Sequence, residues 1–363
     1  MKRFYFLRVL LCLLVLSAIS CGGSSGSDNV SASVGDNNIL NPLLSGKLLF
    51  EYNDSAYLKD LKTGVNTKIP NTDWPKQGNI FPDAFASFSL NAPPHNSDEF
   101  IVKVNSCKQA GADILSPYLA CVALQDYNGN YSNYFDIAED ISSSVKLSRD
   151  HQYVAFFRDL DDDWLAIYAR DGTFVSNRKV GLSSFDWLSD GSIVYSESRR
   201  FVFTDRYSTL PTDYLTLPDT IDGSLSNISV SPDGLRIAFS MYQNGNLAAV
   251  YAIPYVMNID GKNIRQLARR PEGTSQIIGA PKWSPDGLSI FLTAGGASGQ
   301  DLGSPGVLGY GYVIPSNASE IMILSSDDRE KSSDVIRLKH YLLGQAGNIV
   351  TERFNNYSYS WQP

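Results

Sequence analysis

The residue types that most often carry chemistry are few and scattered in this chain. Its 3 histidines, His95, His151 and His340, fall in three separate stretches with no ligand spacing between them. A metal centre draws its ligands from recognisable intervals, so these read as unrelated surface histidines, and neither a metal nor a cofactor is expected. No Gly-x-Ser-x-Gly nucleophile elbow occurs, the motif that seats a hydrolase serine between strand and helix. The run Asp159-Leu160-Asp161-Asp162-Asp163 is rich in oxygen donors but lacks the glycine and closing glutamate of an EF-hand loop. It reads as a solvated acidic turn. Asp126-Tyr127-Asn128-Gly129-Asn130 reads as a hairpin turn at Asn-Gly. The glycines between 295 and 311 are too irregular for a phosphate loop. No catalytic residue is expected.

The cysteines say more. Met1 to Arg8 is short and basic, Val9 to Leu16 is apolar, and Ser17-Ala18-Ile19-Ser20 are small or apolar residues ahead of Cys21. That order is a secretory signal. The apolar run is too short for a span, which takes about 20 residues. The segment resembles a bacterial lipobox, with Ala18 at −3, where Leu is commoner, Ser20 at −1 and Cys21 first in the mature chain. The resemblance implies cleavage after residue 20 and lipid on Cys21. Residues 22–29, Gly/Ser-rich, suit a flexible leash. In lipoproteins of this kind Asp after the cysteine tends to retain the protein at the inner membrane. Gly22 stands there, which implies the outer membrane, facing the periplasm, in a Gram-negative cell. Cys12 leaves with the signal, so Cys107 and Cys121 remain as a pair in an oxidising compartment. A disulfide between them is expected.

Composition narrows the class. The formal charge is −8, and removal of Lys2, Arg3 and Arg8 takes the mature chain to −11. No basic run appears, against the basic footprint of a nucleic-acid binder. With 20 Tyr, 17 Phe, 28 Gly and 17 Pro and only 19% charged residues, the chain reads as all-β.

Internal repeats give the architecture. Val230-Ser231-Pro232-Asp233-Gly234-Leu235-Arg236-Ile237-Ala238-Phe239 is matched by Trp283-Ser284-Pro285-Asp286-Gly287-Leu288-Ser289-Ile290-Phe291-Leu292. Trp187-Leu188-Ser189-Asp190-Gly191 is a third copy. Leu147-Ser148-Arg149-Asp150-His151 is a fourth, with His151 at the glycine position. Successive aspartates lie 40, 43 and 53 residues apart, near the propeller-blade period of about 40–50. Ser-Pro-Asp-Gly between two apolar runs is a hairpin: proline presets φ, aspartate caps the turn and glycine supplies φ > 0. His151 is therefore expected to hold a left-handed conformation. A second hairpin follows each first one, at Asp171-Gly172 and Asp260-Gly261 for example, giving four strands per blade.

These motifs resemble the TolB-type propeller repeat of the WD-like superfamily. Trp-Ser-Pro-Asp-Gly, then Ile-Ala-Phe, then a Tyr-Val strand to Asp-Gly, then Arg-Gln-Leu is that signature. The resemblance implies an all-β, six-bladed β-propeller of four-stranded antiparallel blades over residues 46–363, after a signal peptide at 1–20 and a linker at 21–45. TolB-type proteins can carry an α/β domain before the propeller; about 25 residues between Cys21 and the first strand leave no room for it here. Residues 46–70 lack an opening Trp-Ser-Pro strand, while Tyr357-Ser358-Tyr359-Ser360-Trp361-Gln362-Pro363 supplies one at the other end. The C-terminal strand is expected to pair into the first blade and close the ring, leaving no long open edge.

In such blades the Pro-Asp-Gly turns lie on one face and the second-to-third-strand loops on the other. Two of the latter are expected to be long, 107–121 and 294–317, flanking the connection at 71–86. They carry Trp74, Phe81, Tyr118, Tyr310 and Tyr312, and the Cys107–Cys121 bridge would staple one of them. Long loops on a rigid scaffold and aromatic residues both favour binding, although surface loops also lengthen at little cost. The sequence thus points to a non-enzymatic, lipid-anchored envelope protein that binds a protein partner. The alternative is a carbohydrate-active or hydrolytic propeller with its site in the central channel.

Overall fold

In a computed structural model of the chain, the described residues are 46–52, 55–63, 65–70, 99–105, 120–139, 145–160, 162–180, 184–244, 250–269, 281–295, 309–322, 336–338, 340–343, 349–352 and 359–362. All lie in one unit, Leu40–Pro363, and among them every regular element is a strand.

The strands form successive antiparallel sheets arranged as a β-propeller. The third sheet is Lys146–Leu147, Tyr153–Leu160, Asp162–Ala169 and Phe174–Lys179, paired in chain order. The fourth is Phe185–Trp187, Ile193–Glu197, Arg200–Thr204 and Asp213–Thr216. The fifth is Ser224–Val230, Arg236–Asn244, Val250–Asn258 and Arg265–Gln266. The sixth is Lys282–Trp283, Ser289–Gly295, Gly309–Pro315 and Ile336–Leu338. A parallel pair, Ala268–Arg269 with Ile321–Met322, ties chain following the fifth sheet to chain within the sixth. A hairpin of His340–Leu343 and Ile349–Glu352 follows.

The first sheet shows the closure. Lys47–Tyr52, Ser55–Asp60 and Asn66–Lys68 are joined at their inner edge by Tyr359–Gln362. Leu48 stands opposite Trp361 and Leu49 opposite Ser360. Two segments far apart in the chain thus share one sheet, as the missing opening strand predicted. The second sheet has three strands among the described residues, Glu99–Asn105, Ala120–Asp126 and Tyr131–Glu139. The residues just before it, 71–98, lie outside the described residues. Among the described residues five sheets thus have four strands, one has three and two have two.

The repeat signature acts through burial. The first strands of the third to sixth sheets and Tyr359–Gln362 lie side by side in that order and line the ring's inner wall. Leu147, Trp187, Val230, Trp283 and Trp361, one at the same position in each strand, turn outward into the inter-sheet core and are buried. Trp187 Nε1 donates to the Lys146 carbonyl at 3.1 Å and Trp283 Nε1 to that of Ser229 at 2.9 Å. Each indole thus fills apolar volume while its N–H is satisfied by the preceding blade. One such core layer joins Ile101, Val122 and Leu124 of the second sheet to Leu147, Val154 and Phe156 of the third.

Candidate functional site

The turn at each repeat is built by its own polar atoms. In the fifth sheet Ser231 Oγ donates to Asp233 Oδ1 at 2.5 Å, and the Leu235 N–H donates to the same carboxylate at 2.9 Å. Gly234 sits at φ 73°. The third sheet keeps this geometry with His151 at φ 59°, the left-handed conformation expected for it. Partial burial pushes the Asp150 carboxyl up, but hydrogen bonds from Ser148, Gln152 and Arg206 outweigh that and hold it below its usual range.

Because strands alternate in direction, first-to-second and third-to-fourth connections leave from one face. Six of the seven exposed large apolar side chains among the described residues stand in or beside these connections: Val65, Phe174, Tyr207, Leu210, Leu235 and Leu288. Leu235 and Leu288 occupy the same repeat position, and their carbonyls accept from Ile259 and Ser316 at 2.8 Å. The backbone is fixed while the side chain is left in water. Leu210 and Leu288 are 71% and 69% exposed.

The densest part of this face is the connection 205–212. The third sheet holds it down: Ser176 Oγ donates to the Arg206 carbonyl at 2.6 Å, and Arg178 donates to Thr204 Oγ1 and to the Asp205 carbonyl. Thr204 Oγ1 also bonds the Leu210 carbonyl at 3.1 Å. On this base the Arg206 guanidinium lies 4.6 Å from the Tyr153 ring centroid and 5.7 Å from that of Tyr207. It pairs with Asp150 at 3.3 Å and donates to the Asp190 carbonyl at 3.2 Å. The Tyr153 and Tyr207 hydroxyls share a hydrogen bond of 2.7 Å, which raises the Tyr153 phenol above its ordinary pKa. The result is an ordered Tyr–Arg–Tyr cluster with Leu210 beside it, the side-chain chemistry enriched in interface hot spots.

The inner wall carries a second cluster. The residue before each outward-facing Leu, Trp or Val points the opposite way, by the two-residue strand period. In chain order these residues are Lys146, Asp186, Ser229, Lys282 and Ser360. Lys146 Nζ donates to Asp186 Oδ1 and to the Ile228 carbonyl, both at 3.2 Å, while Asp186 Oδ2 accepts from the Val230 N–H at 2.7 Å. Arg149 reaches from the third sheet to the carbonyls of Val230, Ser231 and Pro232 in the fifth. Lys282 is pushed down to about 7, first by enclosure in protein and then by the like charge of Lys146, with Asp186 opposing.

Of the residues expected to bind a partner, Tyr310 and Tyr312 alone lie among the described residues. Cys21, Trp74, Phe81, Cys107 and Tyr118 lie outside the described residues. Cys121 is a strand residue opposite Val104. Tyr310 and Tyr312 are not in a loop: they belong to Gly309–Pro315, opposite Ala294 and Leu292. The alternation Gly-Tyr-Gly-Tyr-Val-Ile runs straight into the apolar end of the strand, and the glycines pair across the ladder rather than ending it. The second-to-third connections are 106–119 and 296–308. The acidic run is a tight turn, with Asp159 opposite Asp163. His151 is a turn residue and His340 a strand residue; His95 lies outside the described residues. Among the described residues no group of three or more His, Cys, Asp or Glu could hold a metal. The Tyr153–Arg206–Tyr207 and Lys146–Asp186–Lys282 clusters were not anticipated. The second was available as the variable position just before the repeat's conserved-looking opening residue.

No family model matches this sequence. The "Uncharacterized peptidase YuxL" of Bacillus subtilis is 36% identical over 72 residues, which is 20% of this chain and 10% of that protein. The chain thus matches a tenth of that relative's length. TolB from Acinetobacter baumannii superposes with a TM-score of 0.53 at 11% identity, over 88% of this chain and 67% of that one. A putative TolB from Agrobacterium tumefaciens gives 0.53 at 13%, over 88% and 98%. At such identities the likeness is one of fold, and the chain has a β-propeller fold similar to that of the TolB structures.

Proposed function

We propose that this chain is a non-enzymatic binding protein of the bacterial envelope, lipid-anchored through Cys21, whose six-bladed propeller holds a protein partner on the face bearing the Asp-Gly turns. The observation that carries this reading is the gathering of exposed apolar side chains there, with Arg206 and Tyr207 of the Tyr153–Arg206–Tyr207 cluster in the same anchored connection as Leu210. Preordered aromatic and arginine side chains bind at low entropic cost. The periplasmic face of the outer membrane is the proposed location, on the strength of Gly22 and the tether.

A second reading places the partner on the opposite face, and loop length favours it. The connections 106–119 and 296–308 are long, whereas Ser198 and Arg199 alone link the corresponding strands of the fourth sheet. A Cys107–Cys121 bridge would brace the first of these, which carries Tyr118 in sequence, and Tyr310 and Tyr312 stand in the strand that follows the second. Co-purification from detergent-extracted envelopes separates the two. The first reading expects Leu210→Ser with Leu288→Ser to lose the partner and deletion of 109–117 to keep it. The reverse pattern would move the site to the loop face.

A further inference from the structure

The inner-wall cluster holds one cation more than it uses. Lys146 and Asp186 neutralise each other. The Arg149 guanidinium is occupied by three backbone carbonyls, and the Asp233 carboxylate adds a counter-charge to it. Lys282 is partly solvent-accessible although ringed by protein, and its ammonium has no hydrogen-bond partner among the described residues. The strands on either side carry Ser229 and Ser360 at the equivalent position. An enclosed ammonium without a counter-charge is an unfavourable arrangement that an anion relieves.

We propose that the channel wall at Lys282 is a binding site for a compact monocarboxylate, seated against the Lys282 ammonium between the positions of Ser229 and Ser360. Charge selects the class: one uncompensated cation balances one negative charge. A phosphate dianion would bring a second charge close to Asp186 with nothing left to meet it. The site is separate from the turn face and does not depend on what binds there.

The site also makes binding pH-dependent. The charged side chains facing Lys282 are Lys146 and Asp186. The described residues of Ser224–Val230, Ser289–Gly295 and Tyr359–Gln362, the strands beside it, include no titratable side chain that is charged at neutral pH. With the empty-site value at about 7, the ammonium is mostly present at pH 6 and mostly absent at pH 8. Carboxylate affinity therefore falls about tenfold between them.

The test is a titration of the purified full chain with sodium acetate at constant ionic strength, read as the thermal midpoint. A saturable rise at pH 6, needing about tenfold more acetate at pH 8, is expected. Lys282→Met should lose the saturable part and Lys282→Arg keep it. A tripeptide with a free C terminus, set against its amide, then tells the source. Displacement of acetate by the free form alone assigns the carboxylate to a chain end; displacement by neither assigns it to a small molecule. The proposal is overturned by no saturable effect at pH 6, by an equal response in Lys282→Met, or by inorganic phosphate saturating below acetate.

Discussion

Lys282 states in one side chain how the ring is tuned. Its folded pKa lies at about 7 against 10.5 for a free lysine, so the fold favours the neutral amine. Between those values the unfolded chain binds more protons, and stability rises with pH; below pH 7 both states are protonated and the full penalty applies. Lys282→Met should therefore raise the melting temperature at pH 7 and flatten the rise from about 7 upward. Lys59, pushed down to about 8 by burial, acts in the same direction, so part of the upper slope should survive. Melts from pH 6 to 10 check this, and an unchanged slope in the variant would refute the assignment. At the turn face, Arg206→Ala removes two ring contacts and an ion pair. It should cost about 1 kcal/mol by denaturant melts, since such contacts are modest where water reaches them.

Turn chemistry decides whether each hairpin is legible and how much it can bear. Ser231-Pro232-Asp233-Gly234 shows its turn in plain sequence, and the structure uses each residue as its type suggests. His151 could be placed in the same conformation because the copies around it set the frame. Replacing it with glycine should stabilise the fold by up to about 1 kcal/mol, because a side chain at left-handed φ is penalised. Gly191→Ala should do the reverse. Gly191 is at φ 80°, and an added Cβ would lie 2.2 Å from Arg206 Nη2, so the turn and the Tyr–Arg–Tyr cluster would both be disturbed. Loss of stability together with a changed environment for Tyr207 fluorescence or NMR signals is the expected result. What sequence did not show was where a loop stops. Gly309 and Gly311 look like loop residues, yet they pair with Gly295 and Thr293, because tertiary pairing outweighs the weak strand propensity of glycine. The connection 205–212 gave no signal either: its order comes from Ser176 and Arg178, about 30 residues away on another sheet.

For the molecule as a whole, closure is the feature on which the rest depends. Tyr359–Gln362 completes the first sheet and buries Trp361, so a strand more than 300 residues further along the chain joins Lys47–Tyr52 in one sheet. Trp361→Ala should cost about 3–5 kcal/mol, the usual range for emptying a buried indole site. Removing residues 359–363 should expose the edge of Lys47–Tyr52 and give a protein that scatters light on heating, since an open edge recruits other strands. That closure was readable because a repeat lacking its opening strand at one end, and a spare opening strand at the other, fit only one way. The face proposed to bind was harder to read: Leu210 and Tyr207 look like ordinary core residues until the fold puts them outside.

The measurement that bears most directly on the binding reading is site-specific photo-cross-linking in cells, with one probe at Leu210 and another at Tyr118. A single adduct from the Leu210 probe, weakened by Arg206→Ala and absent from the Tyr118 probe, is the predicted result. Adducts from Tyr118 alone, or from neither position in correctly anchored protein, would contradict it.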